Sequence, residues 1–318
     1  MGKYILKRTG MMAIILFLIV SIAFFVLRLM PGSPYDDDQD LSPEAIEALN
    51  AKMHLDKPLP VQYFYFLKGV ALENNWGTSI KLRPGVDVFA IIVERIPASM
   101  VLNIASLLIS IPLGILAGSL AAVFKNKLPD YILSFMVIIC ISVPSFVFAS
   151  LLQYFVAGKL EWFPLIYDAT GDAAAQIKSL VLPIMALAFS PIATICRYLR
   201  GELIETLSSE YMLLARTKGL KKSQAVVRHA FRNSMVPLAN IIIPMFTNIM
   251  GGSLVVETIF AVPGIGGIIK DSINASDYSL ALGAMLFYSF ISVATIFIVD
   301  ISYGIIDPRI RLGAKKSG

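Results

Sequence analysis

MVLNIASLLISIPLGILAGSLAAVF, residues 100–124, holds no Asp, Glu, Lys or Arg in 25 positions. Roughly 20 apolar residues at about 1.5 Å per residue cross a ~30 Å hydrocarbon layer, and backbone groups placed there must pair within their own segment. A membrane-spanning helix meets both conditions. One such run would also suit a buried helix of a soluble protein. Five more runs, residues 9–27, 131–157, 179–196, 234–256 and 278–299, are each uncharged over 18 positions or more. Composition agrees, since 57% of the 318 residues are hydrophobic and 15% charged, with mean hydropathy +0.74. A soluble domain needs about a quarter of its residues charged to cover its surface. The expectation is an all-α polytopic membrane protein with six transmembrane helices.

Working outward from the spans, the charges fall into two sets. With a cytoplasmic N-terminus, the inside segments hold 17 Lys and Arg against 6 Asp and Glu, and the outside segments hold 10 against 16. Lys and Arg favour the cytoplasmic side, so both termini are expected there. The pI of 9.1 is then a topology signal, and nucleic acid is not an expected partner. Lys3, Lys7 and Arg8 before the first apolar run resemble a signal peptide, but Arg28-Leu-Met-Pro-Gly-Ser shows no small-x-small cleavage pattern, which points to an uncleaved first helix. Cys140 and Cys196 fall in or beside spans and make no disulfide framework. His54 and His229 lie in different loops, so no metal site is expected.

Between the first two spans lies a long outside segment, residues 31–99. It opens on Asp36-Asp-Asp, and Ser42 before Pro43 reads as an N-cap with proline at the first helical position. Gln62-Tyr-Phe-Tyr-Phe-Leu suits an amphipathic helix at the headgroup level, Asn75-Trp-Gly-Thr-Ser a turn, and residues 88–96 a short helix entering the second span. Pro112, Pro144, Pro183 and Pro191 are expected to interrupt the second, third and fourth spans. Gly114 and Gly118 form a small-x-x-x-small face. Asn103, Gln153, Asn240 and Asn248 lie within spans, where they either line a translocation path or bond between helices. Glu257 follows the fifth span, and Pro263-Gly264-Ile-Gly266-Gly reads as a hairpin or re-entrant segment at the outer mouth.

The inside loop between the fourth and fifth spans, residues 197–233, has the pattern helix, glycine, helix. Ser208 or Ser209 caps a helix with Glu210 in its first turn and Arg216 and Lys218 in its last, matching the helix dipole. Gly219 stands where a left-handed C-cap is needed. A second start at Ser223 carries Val226, Val227, Ala230 and Phe231 as an apolar stripe, with Arg228, His229 and Arg232 elsewhere. Such an elbow fits either a groove on a soluble partner or a surface of anionic lipid. Spacing alone leaves both open.

The runs EYMLLARTKGL (210–220) and RHAFRNSMVP (228–237) resemble the cytoplasmic EAA loop of ABC importer permeases. More narrowly, they are similar to the B-type subunit of the dipeptide, oligopeptide and nickel permease family. The matching positions are Ala215, Gly219, Leu220, Arg228, His229, Arg232, Asn233 and Pro237; the E-A-A triplet falls on Leu213, Leu214 and Ala215, so only its last alanine is kept. YILKR (4–8), RLMPGSP (28–34), LDKPLPVQY (55–63), NWGTS (75–79), ETIFAVPGIG (257–266) and DPRIR (307–311) extend the resemblance over nearly the whole chain.

The resemblance implies a type I ABC importer permease fold with an extracytoplasmic subdomain after the first helix. Its divisions are residues 1–30, 31–99, a core at 100–306 with the coupling loop 197–233, and a tail at 307–318. It also implies partners: a second, C-type permease subunit, two ATPase subunits that hold ATP and Mg, and an extracytoplasmic peptide-binding protein or lipoprotein, in a bacterial plasma membrane. The chain has no Gly-x-x-x-x-Gly-Lys-Ser/Thr loop and no charge inside a span, so it is expected to bind no cofactor, to catalyse nothing alone, and to be driven by a separate ATPase. Peptides, oligopeptides ahead of dipeptides, are the expected cargo, with nickel or another small solute as the alternative and a secondary transporter further off.

Overall fold

In a layer without water, a backbone group has only its own helix to bond with, and the described chain is helical almost throughout. The computed structural model describes residues 2–29, 42–217, 219, 224, 226–247 and 253–306. The helices are α1 (Gly2–Arg28), α2 (Pro43–Lys52), α3 (Leu59–Leu72), α4 (Val88–Val123), α5 (Leu128–Ser142), α6 (Ser145–Leu152), α7 (Ala173–Leu207) and α8 (Glu210–Thr217). They continue with α9 (Arg232–Thr247), α10 (Leu254–Ile259), α11 (Ile265–Asn274) and α12 (Tyr278–Ile306). Two π-helical stretches, Gln153–Lys159 and Val226–Phe231, continue α6 and lead into α9. Thr78 and Asp87 form an isolated antiparallel bridge, across a turn where Gly85 has φ +79°.

Among the described residues, four stretches are long and apolar enough to cross a membrane: Ile5–Arg28, Val88–Val123, Ala173–Leu207 and Tyr278–Ile301. A fifth, at the predicted third span, is the pair Leu128–Ser142 and Ser145–Lys159, bent by 102°. The predicted span at 234–256 contains α9 and the start of α10, while residues 248–252 lie outside the described set.

The prolines divide in a way their spacing did not show. Only Pro144 breaks its helix: Val143 before it is extended (φ −91°, ψ 122°), because the proline ring disfavours the helical conformation of its predecessor. Pro112, Pro183 and Pro191 lie inside unbroken helices, and Pro183 is buried among neighbours that support the interrupted turn. The expected short helix at 88–96 is likewise no separate element but the first turns of the 36-residue α4.

The chain forms two compact units, residues 100–262 and residues 1–99 with 263–318. In the first, α7 is the central element. Close approach of α4 to α7 depends on the two predicted small positions. A Cβ on Gly114 would lie 2.7 Å from Ile195 Cβ, and one on Gly118 would lie 2.8 Å from the Cys196 carbonyl oxygen. Gly118→Ala is therefore expected to cost about 1–3 kcal/mol by overpacking. Gly201→Ala, on the same α7 with no atom within 4 Å of a Cβ, is expected to gain about 0.5–1 kcal/mol from helix propensity. Thermal melting of the two purified variants checks the opposite signs; melting temperatures that move together would remove the close-packing argument.

In the second unit α1 runs antiparallel to α12. Phe24 and Leu27 are buried against Tyr278, Ala281 and Leu282, with Tyr63 and Phe66 of α3 packed over them. The Phe24 ring stacks on Phe66 at 5.4 Å, and Ser21 Oγ lies 2.5 Å from the Tyr63 hydroxyl. Toward the other end of the pair, Arg8 is ion-paired with Asp300. The start of α1 and the late part of α12 are thus side by side.

Candidate functional site

The elbow is built from the last turns of α7 upward. Ser208 N–H donates to the Ile204 and Glu205 carbonyls and ends α7. The Ser209 carbonyl accepts from Met212 and Leu213 N–H and starts α8, so the chain turns within two residues. Helical spacing then gives α8 two faces. Met212 is buried with Leu199 and Leu203 of α7, Ala230, and Leu238 of α9. Leu213 and Leu214 remain 63% and 55% exposed. A leucine pair costs free energy when left in water, at roughly 25 cal/mol per Å² of apolar area.

Gly219 follows α8 with φ +89°, the left-handed conformation its position predicted, and no atom lies within 4 Å of a Cβ placed there. The second half of the elbow differs from the expected separate helix. Residues Val226–Phe231 are wound as a π-helix directly into α9. The wider turn keeps Ala230 wholly buried and lays Phe231 against the same cluster. Ser234 Oγ donates to Thr206 Oγ1 at 3.1 Å, tying α9 to the end of α7.

Of the predicted coupling residues, Arg232 and Asn233 are exposed at the start of α9. Ala215 and Arg216 lie on α8, and Arg228 and His229 lie on the π-helical stretch. Lys218, Leu220 and the helix start at Ser223 lie outside the described residues, as do Asn248, the Asp36–Asp38 run and residues 307–318.

The charge pair that stiffens this end of the unit was not anticipated. Arg200 of α7 donates from Nε to Asp130 Oδ1 at 2.5 Å and from a terminal nitrogen to Oδ2 at 2.8 Å. Asp130, in the first turn of α5, is 1% exposed and also accepts from Asn126 N–H and Ser134 Oγ. A two-point Arg–carboxylate bond fixes angle as well as distance. It holds the turn before α5 to the same end of α7 that carries the elbow, as expected if residues 125–130 and 197–233 share one side of the membrane.

The polar residues of the spans separate by their surroundings. Gln153 Nε2 donates to the carbonyls of Leu165 and Ile259 at 2.9 and 2.8 Å, so its amide ties the π-helical stretch to a loop and to the end of α10. Asn103 on α4 and Asn240 on α9 are half-buried. Glu257 is 1% exposed on α10, where Ser253 N–H donates to its carboxylate at 3.0 Å. The helix breaks at Phe260, with Ala261 at φ +52°, and restarts at Ile265. Gly264 caps α11, with Pro263 just before it, and Gly266 is inside its first turn. There Ile265 N–H, one of the donors a helix start leaves open, bonds Ser99 Oγ at 2.9 Å.

The family of binding-protein-dependent transport system inner membrane components matches residues 110–312, and the N-terminal model of the same components matches residues 1–103. The chain belongs to that family. It is an ABC importer permease subunit, a multi-pass plasma-membrane component of a transport system and not an enzyme by itself. The dipeptide transport system permease protein of Lactococcus lactis subsp. cremoris is 40% identical over 98% of this chain and 100% of its own length. The oligopeptide transport system permease protein of Escherichia coli is 35% identical over 98% of this chain and 100% of its own. A solved chain of the methionine ABC transporter MetNI, in an inward-facing form, is 16% identical with a TM-score of 0.48, covering 67% of this chain and 96% of that one.

Proposed function

We propose that this permease forms half of the pathway of an ATP-driven peptide importer and takes its motion from an ATPase docked on α8. The observation that carries the reading is the two-faced α8: Met212 anchors it to α7 while Leu213 and Leu214 stand exposed beside the left-handed Gly219. A helix fixed to the bundle on one face and apolar on the other is fit to seat in a groove and pass displacement to the span behind it. The rigid connection runs through Met212, Ala230 and the Asp130–Arg200 pair into α7 and α5.

The full-length likeness to dipeptide and oligopeptide permeases supports peptides as cargo. The partners are a second permease subunit, two ATPase subunits carrying ATP and Mg, and a peptide-binding protein outside. The basic elbow and both termini are placed in the cytoplasm by the distribution of Lys and Arg. Asn103, Gln153, Asn240 and Asn248 are the path candidates, the Gln153 amide nitrogen being held by the Leu165 and Ile259 carbonyls, and residues 257–266 belong to the outer mouth.

The test is ATP-dependent uptake of a labelled peptide by the full complex in proteoliposomes. Leu213→Asp with Leu214→Asp is expected to lower uptake at least about tenfold, the scale of losing two apolar anchors from an interface, while insertion and melting stay as in the parent. Uptake at the parent rate in that variant, or uptake by the permease pair without its ATPase, would overturn the proposal. Gly219→Ala meets no neighbour, so its effect is confined to backbone strain of about 1 kcal/mol, far smaller than the leucine pair's.

A further inference from the structure

Where α1 ends, the unit formed by residues 1–99 and 263–318 has a half-open cavity of about 340 Å³. Its lining includes Arg28, Gln62, Tyr65, Glu73, Trp76 and Ser279. Two of these carry bonding capacity that the protein leaves unused. Gln62 is 9% exposed, and its Nε2 donates to the carbonyls of Leu55 and Lys57 at 3.1 and 2.8 Å. Those two acceptors fix which end of the amide is nitrogen. Its Oε1 is then an acceptor out of water with no partner. Buried polar atoms are almost always bonded, so an orphaned one points to a missing donor.

Arg28 is the second. Its guanidinium lies over the Phe24 ring at 5.7 Å, and among the described residues no carboxylate or carbonyl is bonded to it. Guanidinium offers a planar fork matched to phosphate or carboxylate. An open donor fork and an open acceptor on one cavity ask for a molecule with an anion at one end and an N–H donor at the other. Trp76 adds a ring face that favours a cation, while the Tyr65 ring is stacked on His54 at 4.1 Å and Glu73 is ion-paired with Lys68 at 2.8 Å.

We infer that this cavity holds the headgroup of an ethanolamine phospholipid, with the phosphate on Arg28 and the ammonium toward Gln62 Oε1 and the Trp76 ring. A lipid is favoured over a free zwitterion by position. Arg28 is the last residue of the Ile5–Arg28 span, at the depth where headgroups lie. The α3 helix that supplies Gln62 and Tyr65 leaves Phe64 64% and Leu72 79% exposed, apolar surface suited to acyl chains. The bound lipid would fill the space between α3 and the start of α12, and so brace the outside segment against the membrane.

The test is native mass spectrometry of the full-chain complex, released from vesicles containing phosphatidylethanolamine, phosphatidylglycerol and phosphatidylcholine in equal parts. Phosphatidylethanolamine is expected to be retained about fivefold over each of the others, since one lacks the ammonium and the other has no N–H to give Gln62. Arg28→Gln should lose retention of all three. Gln62→Met should keep phosphate binding and lose only the preference for ethanolamine over choline. Soluble phosphoethanolamine at millimolar concentration should displace the lipid, and a zwitterionic tripeptide should not. Equal retention of the three lipids by the parent complex would overturn the assignment, as would displacement by the tripeptide, which would make the cavity a peptide site. Loss of peptide uptake leaves this readout untouched, so the two proposals fail separately.

Discussion

Asp277→Ala is expected to destabilise the permease by about 3–5 kcal/mol, because it strips one carboxylate from five donors at once. Asp277 is wholly buried, and its Oδ2 accepts from Ser79 Oγ at 2.5 Å and from the N–H groups of Ile80, Lys81 and Leu82 at 3.0, 3.1 and 3.2 Å. Its Oδ1 accepts from Leu280 N–H at 3.3 Å, which makes the residue the N-cap of α12 as well. A negative group at a helix N-terminus is favoured by the helix dipole, and one bonded to backbone N–H groups is favoured again. Alanine would leave four backbone donors and a hydroxyl without their acceptor. Asn keeps the shape but turns an NH2 toward donors, so it should fall between the two at about 1–3 kcal/mol. Melting of detergent-purified protein is expected to drop on the order of 10 °C for alanine and less for Asn. An alanine variant melting within a degree or two of the parent would show that the segment is held by other means.

The consequence reaches function through position. Ser79–Leu82 follows Trp76 and Gly77, which line the cavity at the end of α1, and lies within the turn closed by the bridge of Thr78 with Asp87, after which α4 begins. Releasing the loop would therefore loosen the segment that joins α3 to α4. Uptake by Asp277→Ala protein that does reach the membrane is expected to fall along with stability.

Much of this architecture was open to reading because lipid imposes a length. Six uncharged runs as long as residues 100–124 do not fit inside one soluble core of this size, so the spans could be placed without knowing what packs on them. Gly219 was legible for the related reason that a helix end next to glycine has one common geometry. What sequence could not show was partnership at a distance. Asp277 before an apolar run reads as a cap, and that half of its role was within reach; the loop it holds begins 198 residues earlier. Pro144 and Pro183 look alike in sequence, yet the helix breaks at the first and continues through the second. Leu213 and Leu214 stood where the triplet should be and were passed over as a departure from it, although their exposure makes them the strongest docking candidates on α8. Asp130 and Arg200 entered only as topology charges, since nothing local marks residues 70 apart as partners.

That pair yields an asymmetry that simple charge counting would miss. The side chain of Arg200 is 32% exposed and that of Asp130 only 2%. Remove the carboxylate, and Arg200 can still reach water, so Asp130→Ala should cost about 1–2 kcal/mol. Remove the arginine, and a buried carboxylate keeps only Asn126 N–H and Ser134 Oγ; Arg200→Ala should cost about 3–5 kcal/mol. Taking both away deletes the stranded charge, so the double variant should be more stable than Arg200→Ala alone, with a coupling of at least about 1 kcal/mol. The four-member cycle is read by melting, and by uptake in the variants that fold. Because the pair stands between α5 and the end of α7 that carries the elbow, uptake should fall more steeply than stability along the series. Additive melting shifts, or Asp130→Ala worse than Arg200→Ala, would mean that the carboxylate acts through something other than this arginine, and the rigid link from elbow to bundle would have to be sought elsewhere.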